Sequence, residues 1–267
     1  MIGLFDSGVG GMSVFREVAR LLPQHGYVYY SDNANCPYGD KSPDFIAGRA
    51  REITSLLLSK GCKAIVVACN TATAAAIKQL RQEFHGVPFV GMEPALKPAA
   101  ASTRSGVVGV LATAATLRSE KYLDGKRKYG TGVRILERVG RGFVELVESG
   151  ELTGQDAESV VSASVAPLVE GGADTIVLGC THYPFLMDLI RKVAGPGVEV
   201  LDPAPSAARH LIYLMVQHGL LDERSATQAL SRIGTGAQVP RNPKVELLSS
   251  GDPAALMRFF SLVTEHA

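Results

Sequence analysis

Gly61-Cys62-Lys63-Ala64-Ile65-Val66-Val67-Ala68-Cys69 is answered 111 residues later (180 minus 69) by Gly172-Ala173-Asp174-Thr175-Ile176-Val177-Leu178-Gly179-Cys180. Each stretch opens on glycine, runs through Ile-Val and stops at a cysteine followed by polar residues. An apolar run this short and continuous, bounded by turn residues, reads as a strand buried on both faces. Strands of that kind belong to parallel sheets with helices on either side.

The same alternation extends outward from both stretches. Ile2 to Phe5 is another apolar run, and it stops at Asp6-Ser7-Gly8-Val9-Gly10-Gly11. Ser13 then reads as the cap of a helix whose apolar face is Val14, Val18, Leu21 and Leu22, stopped by Pro23. Tyr27 to Tyr30 is the next strand. Ser42-Pro43 supplies an N-cap and a first-turn proline to a helix through Ile46, Ala50, Ile53 and Leu57, closed by Gly61. After Cys69-Asn70-Thr71, Ala74 to Phe84 favours helix and Val87 to Gly91 favours strand. In the second half, Val107 to Leu111 ends near Thr113 as the first strand ends at Asp6-Ser7, and Asp202-Pro203-Ala204 matches Glu93-Pro94-Ala95. Three landmarks in one order at nearly one offset point to internal duplication.

A tail follows the duplicated part. His210 to Gly219 reads as helix, Val245 to Leu248 as a short strand, and Asp252-Pro253 as the cap of a last helix with Leu256, Phe259, Phe260 and Val263 on one face. The tail is expected to return and pack on the first half. The fold class is α/β: two similar lobes, each a mainly parallel sheet covered by helices. The expected division is residues 1–97 plus 210–267 against 98–209, with the active site in the cleft between them.

Composition narrows the function. The 267 residues carry 27 basic and 26 acidic side chains, a net charge of +1, so no basic surplus suits a nucleic-acid or anionic-membrane partner. Four cysteines, Cys36, Cys62, Cys69 and Cys180, are too few and too scattered for a disulfide framework, and none pair as CxxC. Met1 to Asp6 has no basic leader, and the longest apolar runs fall well short of the roughly 20 residues of a spanning helix. A soluble cytoplasmic protein with reduced thiols is expected.

Ligands of open parallel sheets bind outside the carboxyl ends of the strands, where a following helix offers free N–H groups. Cys69 and Cys180 read as lying at such ends, where a thiol leans toward thiolate. Cysteine also packs as a small hydrophobe. That reading is preferred for Cys62, in a helix–strand turn, and for Cys36, in the loop Asn35-Cys36-Pro37-Tyr38-Gly39 with no base beside it. Equivalent placement in two repeats favours chemistry for the other pair. His182, two residues past Cys180, is a natural acid/base partner for it. Asp6 and Ser7 bring an acid and a hydroxyl to the same kind of strand end as Cys69. A zinc site from Cys69, Cys180 and His182 lacks a local ligand cluster, and no metal is expected. Gly8-Val9-Gly10-Gly11-Met12-Ser13 has serine where the dinucleotide fingerprint needs its last glycine, and no Walker lysine is present.

Asp6-Ser7-Gly8-Val9-Gly10-Gly11-Met12-Ser13, Pro37-Tyr38-Gly39, Ala68-Cys69-Asn70-Thr71-Ala72-Thr73 and Gly179-Cys180-Thr181-His182-Tyr183-Pro184 together resemble the glutamate racemases, within the cofactor-independent aspartate/glutamate racemase superfamily. The resemblance spans essentially the whole chain, to Ser249-Ser250-Gly251-Asp252-Pro253. It implies interconversion of L- and D-glutamate without a cofactor, supplying D-glutamate for peptidoglycan in the cell wall. It also implies that Cys69 exchanges a proton with the D-enantiomer and Cys180 with the L-enantiomer, with Asp6 assisting Cys69 and His182 and Glu148 assisting Cys180. Ser7, Pro37, Tyr38, Gly39, Asn70, Thr71, Thr113, Thr116 and Thr181 would join Asp6, Cys69, Cys180 and His182 in holding the substrate. A homodimer is the one protein partner this reading admits.

The chain departs from the family pattern at Gly140-Arg141, where many relatives carry Cys-Pro, just ahead of Gly142-Phe143-Val144-Glu145-Leu146-Val147-Glu148. Asp202-Pro203 stands where relatives often show Asp-Ser. Other readings of the residues are another superfamily reaction, such as aspartate or hydantoin racemisation or maleate isomerisation, a dicarboxylate-binding module whose thiols only pack, and a pyridoxal enzyme.

Overall fold

The computed structural model describes residues 1–265, which divide into two units: Met1–Met92 with the chain from Ala204 onward, and Glu93–Pro203. The division falls at 92/93 and 203/204, a few residues earlier than at 97/98 and 209/210. The reason is local. The chain changes unit at Glu93-Pro94 and Asp202-Pro203, so the helix following each belongs wholly to the unit being entered.

In the first unit the order is β1 (Ile2–Asp6), α1 (Met12–Leu21), β2 (Tyr27–Ser31), α2 (Pro43–Ser59), β3 (Ala64–Val67), α3 (Asn70–Glu83) and β4 (Phe89–Gly91). The second unit holds α4 (Leu96–Ser102), β5 (Val107–Ala112), α5 (Ala114–Arg118), α6 (Glu120–Tyr129), β6 (Arg134–Val139), α7 (Phe143–Ser149), α8 (Gln155–Glu170), β7 (Thr175–Gly179), α9 (Met187–Ala194) and β8 (Glu199–Leu201). The tail adds α10 (Ala204–Gln217), α11 (Glu223–Leu230), β9 (Val245–Ser249) and α12 (Ala254–Glu265) to the first unit.

The duplication is visible in the sheets. The first runs β4-β3-β1-β2-β9, and the second, read from its far edge, β8-β7-β5-β6. Every neighbouring pair is parallel. Register repeats too: Gly3 pairs with Ile65 and Gly109 with Ile176. In each sheet the chain steps from the first strand to one side and returns on the other, so β1/β3 and β5/β7 are the switch points where open sheets leave a crevice. Central strands are buried along their lengths. Each fully buried Leu or Ile there contributes about 1.5–3 kcal/mol.

The tail completes the first sheet as expected. β9 lies parallel to β2, from Tyr27 opposite Val245 to Ser31 opposite Ser249. Leu256, Phe259 and Val263 of α12 are buried, and Phe260 meets Phe15 of α1 with ring centroids 6.0 Å apart.

Several helix starts differ from the sequence expectation. Ser42 caps α2 by accepting from Phe45 N at 3.2 Å, with Pro43 in the first turn, as read. By contrast, α1 begins one residue before Ser13, and the Ser13 hydroxyl donates back to Gly10 O at 2.9 Å. Gly11 is the cap there because nothing larger fits: a Cβ on it would lie 2.6 Å from the Tyr29 hydroxyl and 2.7 Å from Asp6 Cβ. Helix α3 starts at Asn70 rather than Ala74, because Cys69 itself is the N-cap. Helix α10 starts at Ala204 rather than His210.

Candidate active site

Within the first unit, the β1/β3 switch point gathers Asp6, Ser7, Cys69, Asn70 and Thr71, all buried. Asp6 ends β1, and its Oδ2 accepts from Gly11 N at 2.9 Å and Gly8 N at 3.3 Å, so the glycine turn wraps the carboxylate. The Tyr29 hydroxyl donates to Gly8 O at 3.1 Å and braces that turn from β2. Cys69 Sγ accepts from Ala72 N at 3.4 Å and lies 3.9 Å from Ser7 Oγ. An N–H aimed at sulfur at the positive end of a helix stabilises negative charge on it. Both polar atoms of the Asn70 carboxamide are buried and have no hydrogen-bond partner among the described residues. Such a group is costly in a finished core and useful at a ligand site.

Tyr38 and Gly39 stand in a short 3-10 turn, Tyr38–Asp40, after the cis Cys36–Pro37 bond. The Tyr38 hydroxyl donates to Asp32 Oδ2 at 2.5 Å. Arg49 of α2 grips the same carboxylate with two bonds, Nε to Oδ2 at 3.0 Å and a terminal nitrogen to Oδ1 at 2.8 Å, and Asn35 adds a third donor. Burial opposes ionisation of Asp32, yet bonds from Arg49, Tyr38, Ser250 and Asn35 outweigh it and hold the carboxyl below its ordinary range. Burial, with Asp32 and Cys69 nearby, pushes the Tyr38 phenol upward, so it remains a neutral donor. The sequence reading missed Asp32 and Arg49. The signal was there: Asp32 follows the end of β2 much as Asp6 ends β1.

In the second unit, the β5/β7 switch point gathers Thr113, Thr116, Cys180, Thr181 and His182. Thr113 caps α5, accepting from Thr116 N at 3.2 Å and donating to Thr116 Oγ1 at 2.9 Å. Cys180 follows the end of β7, as read, but no α-helix starts directly after it: Tyr183–Leu186 with Pro184 forms a 3-10 turn, and α9 starts only at Met187. A side-chain chain stands in place of the helix. Cys180 Sγ lies 3.7 Å from His182 Nδ1, and His182 Nε2 lies 2.6 Å from Glu148 Oε1. Cys180 and His182 are buried, whereas Glu148, on the last turn of α7, is partly exposed. The imidazole can accept the thiol proton while the carboxylate stabilises the resulting charge, which is how a histidine–acid pair activates a thiol. Glu148 thus lies against His182 despite the Gly140-Arg141 departure upstream.

The two remaining cysteines differ. Cys36 sits half-buried in its loop. Cys62 is buried in the turn between α2 and β3, and burial pushes its thiol up to about 11.

Comparisons with known proteins give the family. A model of the Asp/Glu/hydantoin racemase family matches residues 2–211. A glutamate racemase of Herpetosiphon aurantiacus is 46% identical over 253 residues, 95% of this chain and 93% of the relative. The chain belongs to the glutamate racemase family. Solved glutamate racemases share the fold. One of Bacillus anthracis is 28% identical with a TM-score of 0.81, covering 98% of this chain and 92% of that one. One of Francisella tularensis, in complex with D-glutamate, is 26% identical with a TM-score of 0.79, covering 99% and 93%. In this glutamate racemase family member, among the described residues, no helix is long and apolar enough to cross a membrane.

Proposed function

We propose that this chain interconverts L- and D-glutamate by moving the α-proton between two thiols, Cys69 and Cys180, and so supplies D-glutamate for peptidoglycan. The observation that carries the reading is the placement of one thiol at the switch point of each of two sheets whose four corresponding strands run in the same order. An α-proton on an amino acid is very weakly acidic, so a carbanion formed without an electron sink must be reprotonated at once. Racemisation then requires a base on one face of the carbon and an acid on the other.

In the direction from D to L, the Cys69 thiolate takes the α-proton and becomes a thiol. The Cys180 thiol delivers its proton to the opposite face and becomes a thiolate. From L to D the roles reverse, and the scheme asks for no cofactor. Asp6 serves Cys69; His182 and Glu148 serve Cys180. Ser7, Pro37, Tyr38, Gly39, Asn70, Thr71, Thr113, Thr116 and Thr181 hold the carboxylates and ammonium through hydroxyls, amides and backbone N–H groups, which need no clamp arginine. A glutamate racemase solved with D-glutamate supports that ligand choice. We place the enzyme in the cytoplasm, as a homodimer whose mass is read directly by light scattering.

Racemisation followed by circular dichroism, with no added cofactor, tests the reading. Wild type converts either enantiomer to an equal mixture, and Cys69→Ser and Cys180→Ser each lose turnover. Near-normal racemisation by either variant refutes the two-thiol scheme.

A further inference from the structure

Tyr183 directly follows His182 and is fully buried. Its ring meets that of Phe143, the first residue of α7, edge to face, with centroids 4.9 Å apart and planes at 64°. Gly140 O accepts both the Phe143 N–H at 3.3 Å and, at a long 3.4 Å, the Tyr183 hydroxyl. Gly140 N in turn donates to Ala112 O, at the end of β5, at 3.3 Å. The ring also fills the space a side chain at 140 would need: a Cβ there would lie 2.6 Å from the Tyr183 hydroxyl oxygen and 2.7 Å from Cζ. At its other end, Tyr183 N donates to Cys180 O at 3.2 Å and closes the turn on which Cys180 and His182 stand.

One residue therefore ties both ends of the relay, its backbone N–H to the Cys180 turn and its ring to Gly140 and Phe143 at the start of α7. It holds the turn bearing Cys180 and His182, and it abuts the start of the helix bearing Glu148. We propose that Tyr183, seated against Gly140 and Phe143, is the positioning residue that sets the Glu148–His182 distance and thereby the reactivity of Cys180. The inference rests on reading Cys180 as an acid/base thiol served by His182 and Glu148. Burial, and the nearness of Cys180, keep the Tyr183 phenol well above its ordinary ionisation range, so the ring stays neutral beside the sulfur.

The geometry sets the scale. A methyl at 140 needs about 3.4 Å, so the 2.6 Å approach must open by about 0.8 Å. Passed along one and a half turns of α7, the same displacement stretches the 2.6 Å Glu148–His182 contact to about 3.4 Å, from a short hydrogen bond to a long, weak one. Misplacement of about 1 Å costs up to about 100-fold in rate.

The test is the alkylation rate of Cys180 by iodoacetamide, divided by that of Cys69 in the same sample, both read by peptide mass spectrometry. Gly140→Ala lowers the ratio at least about tenfold. Phe143→Leu, which keeps most of the apolar volume and so folds readily, lowers it in the same direction by less. Placed on Glu148→Gln, neither substitution lowers the ratio further, because a positioning residue has nothing left to position. A ratio within about twofold of wild type for Gly140→Ala overturns the proposal, as does equal slowing in the Glu148→Gln background, which marks a merely structural role. Alkylation does not require turnover. A wild-type protein that fails to racemise glutamate therefore sinks the functional reading, whereas normal racemisation with an unmoved ratio sinks the positioning role alone.

Discussion

Replacing Arg49 with methionine removes two of the hydrogen bonds that hold the fully buried Asp32 carboxylate and leaves Tyr38, Asn35 and Ser250 as its side-chain donors. Breaking one side of a buried pair costs about 3–5 kcal/mol. The Arg49 side chain is 23% exposed, so water replaces part of what is lost, and we expect the lower end, about 3 kcal/mol. For a chain of this length that corresponds to a fall in melting temperature of about 6 °C. The pH dependence has a definite sign. Asp32 is held below its ordinary range, so its contribution is complete above the unfolded carboxylate value of about 3.9 and is lost as pH falls through the lower folded value. Calorimetry of wild type and Arg49→Met should therefore show the full gap at pH 7 and a narrowing gap below about pH 4. Because the bidentate grip needs a planar fork, Arg49→Lys recovers only part of the loss. A gap under about 1 °C at pH 7, or one that stays constant down to pH 3, refutes the reasoning.

Asn70→Ala removes a buried carboxamide that has no protein partner, so its melting temperature stays level or rises while KM for glutamate increases at least about tenfold; a fall in stability with KM unchanged marks Asn70 as structural. With its thiol pushed up to about 11, Cys62 carries about one thiolate in a thousand at pH 8 and should be alkylated far more slowly than Cys69 and Cys180. Peptide mapping that finds Cys62 labelled as fast as either contradicts this.

What the sequence disclosed followed the range of the interactions involved. Buried parallel strands announce themselves through short Ile-Val runs, and because the unit occurs twice, Gly61–Cys69 and Gly172–Cys180 each corroborate the other. Local caps were partly legible: Ser42-Pro43 worked because both signals lie within one turn, whereas Ser13 misled because the approach of Tyr29 to Gly11 decides where α1 begins. The Asp32–Arg49 grip joins residues 17 apart on different elements; the strand end marks Asp32, but no local pattern marks Arg49 as its partner. At Cys180 the strand end was readable, but the absence of a helix cap was not. A 3-10 turn with Pro184 follows instead, and where helix α3 meets Cys69 the neighbours of Cys180 are His182 and, beyond it, Glu148, residues 34 apart. Glu148 came from family resemblance, and only the folded chain shows its contact. Gly140-Arg141, a departure in the sequence, is in three dimensions the space occupied by the Tyr183 ring.

The central claim is that two different thiols handle the two faces of one α-carbon, and isotopic labelling during the first few per cent of reaction tests it. L-glutamate is supplied to the enzyme in heavy water, and both enantiomers are recovered and weighed by mass spectrometry. If Cys180 removes the proton and Cys69 delivers one from its solvent-exchanged thiol, the D-glutamate formed carries a single deuterium at the α-carbon while the remaining L-glutamate carries none. Deuterium entering the recovered L-glutamate as fast as D-glutamate appears, or D-glutamate that keeps its original proton, would mean a single base and contradict the account.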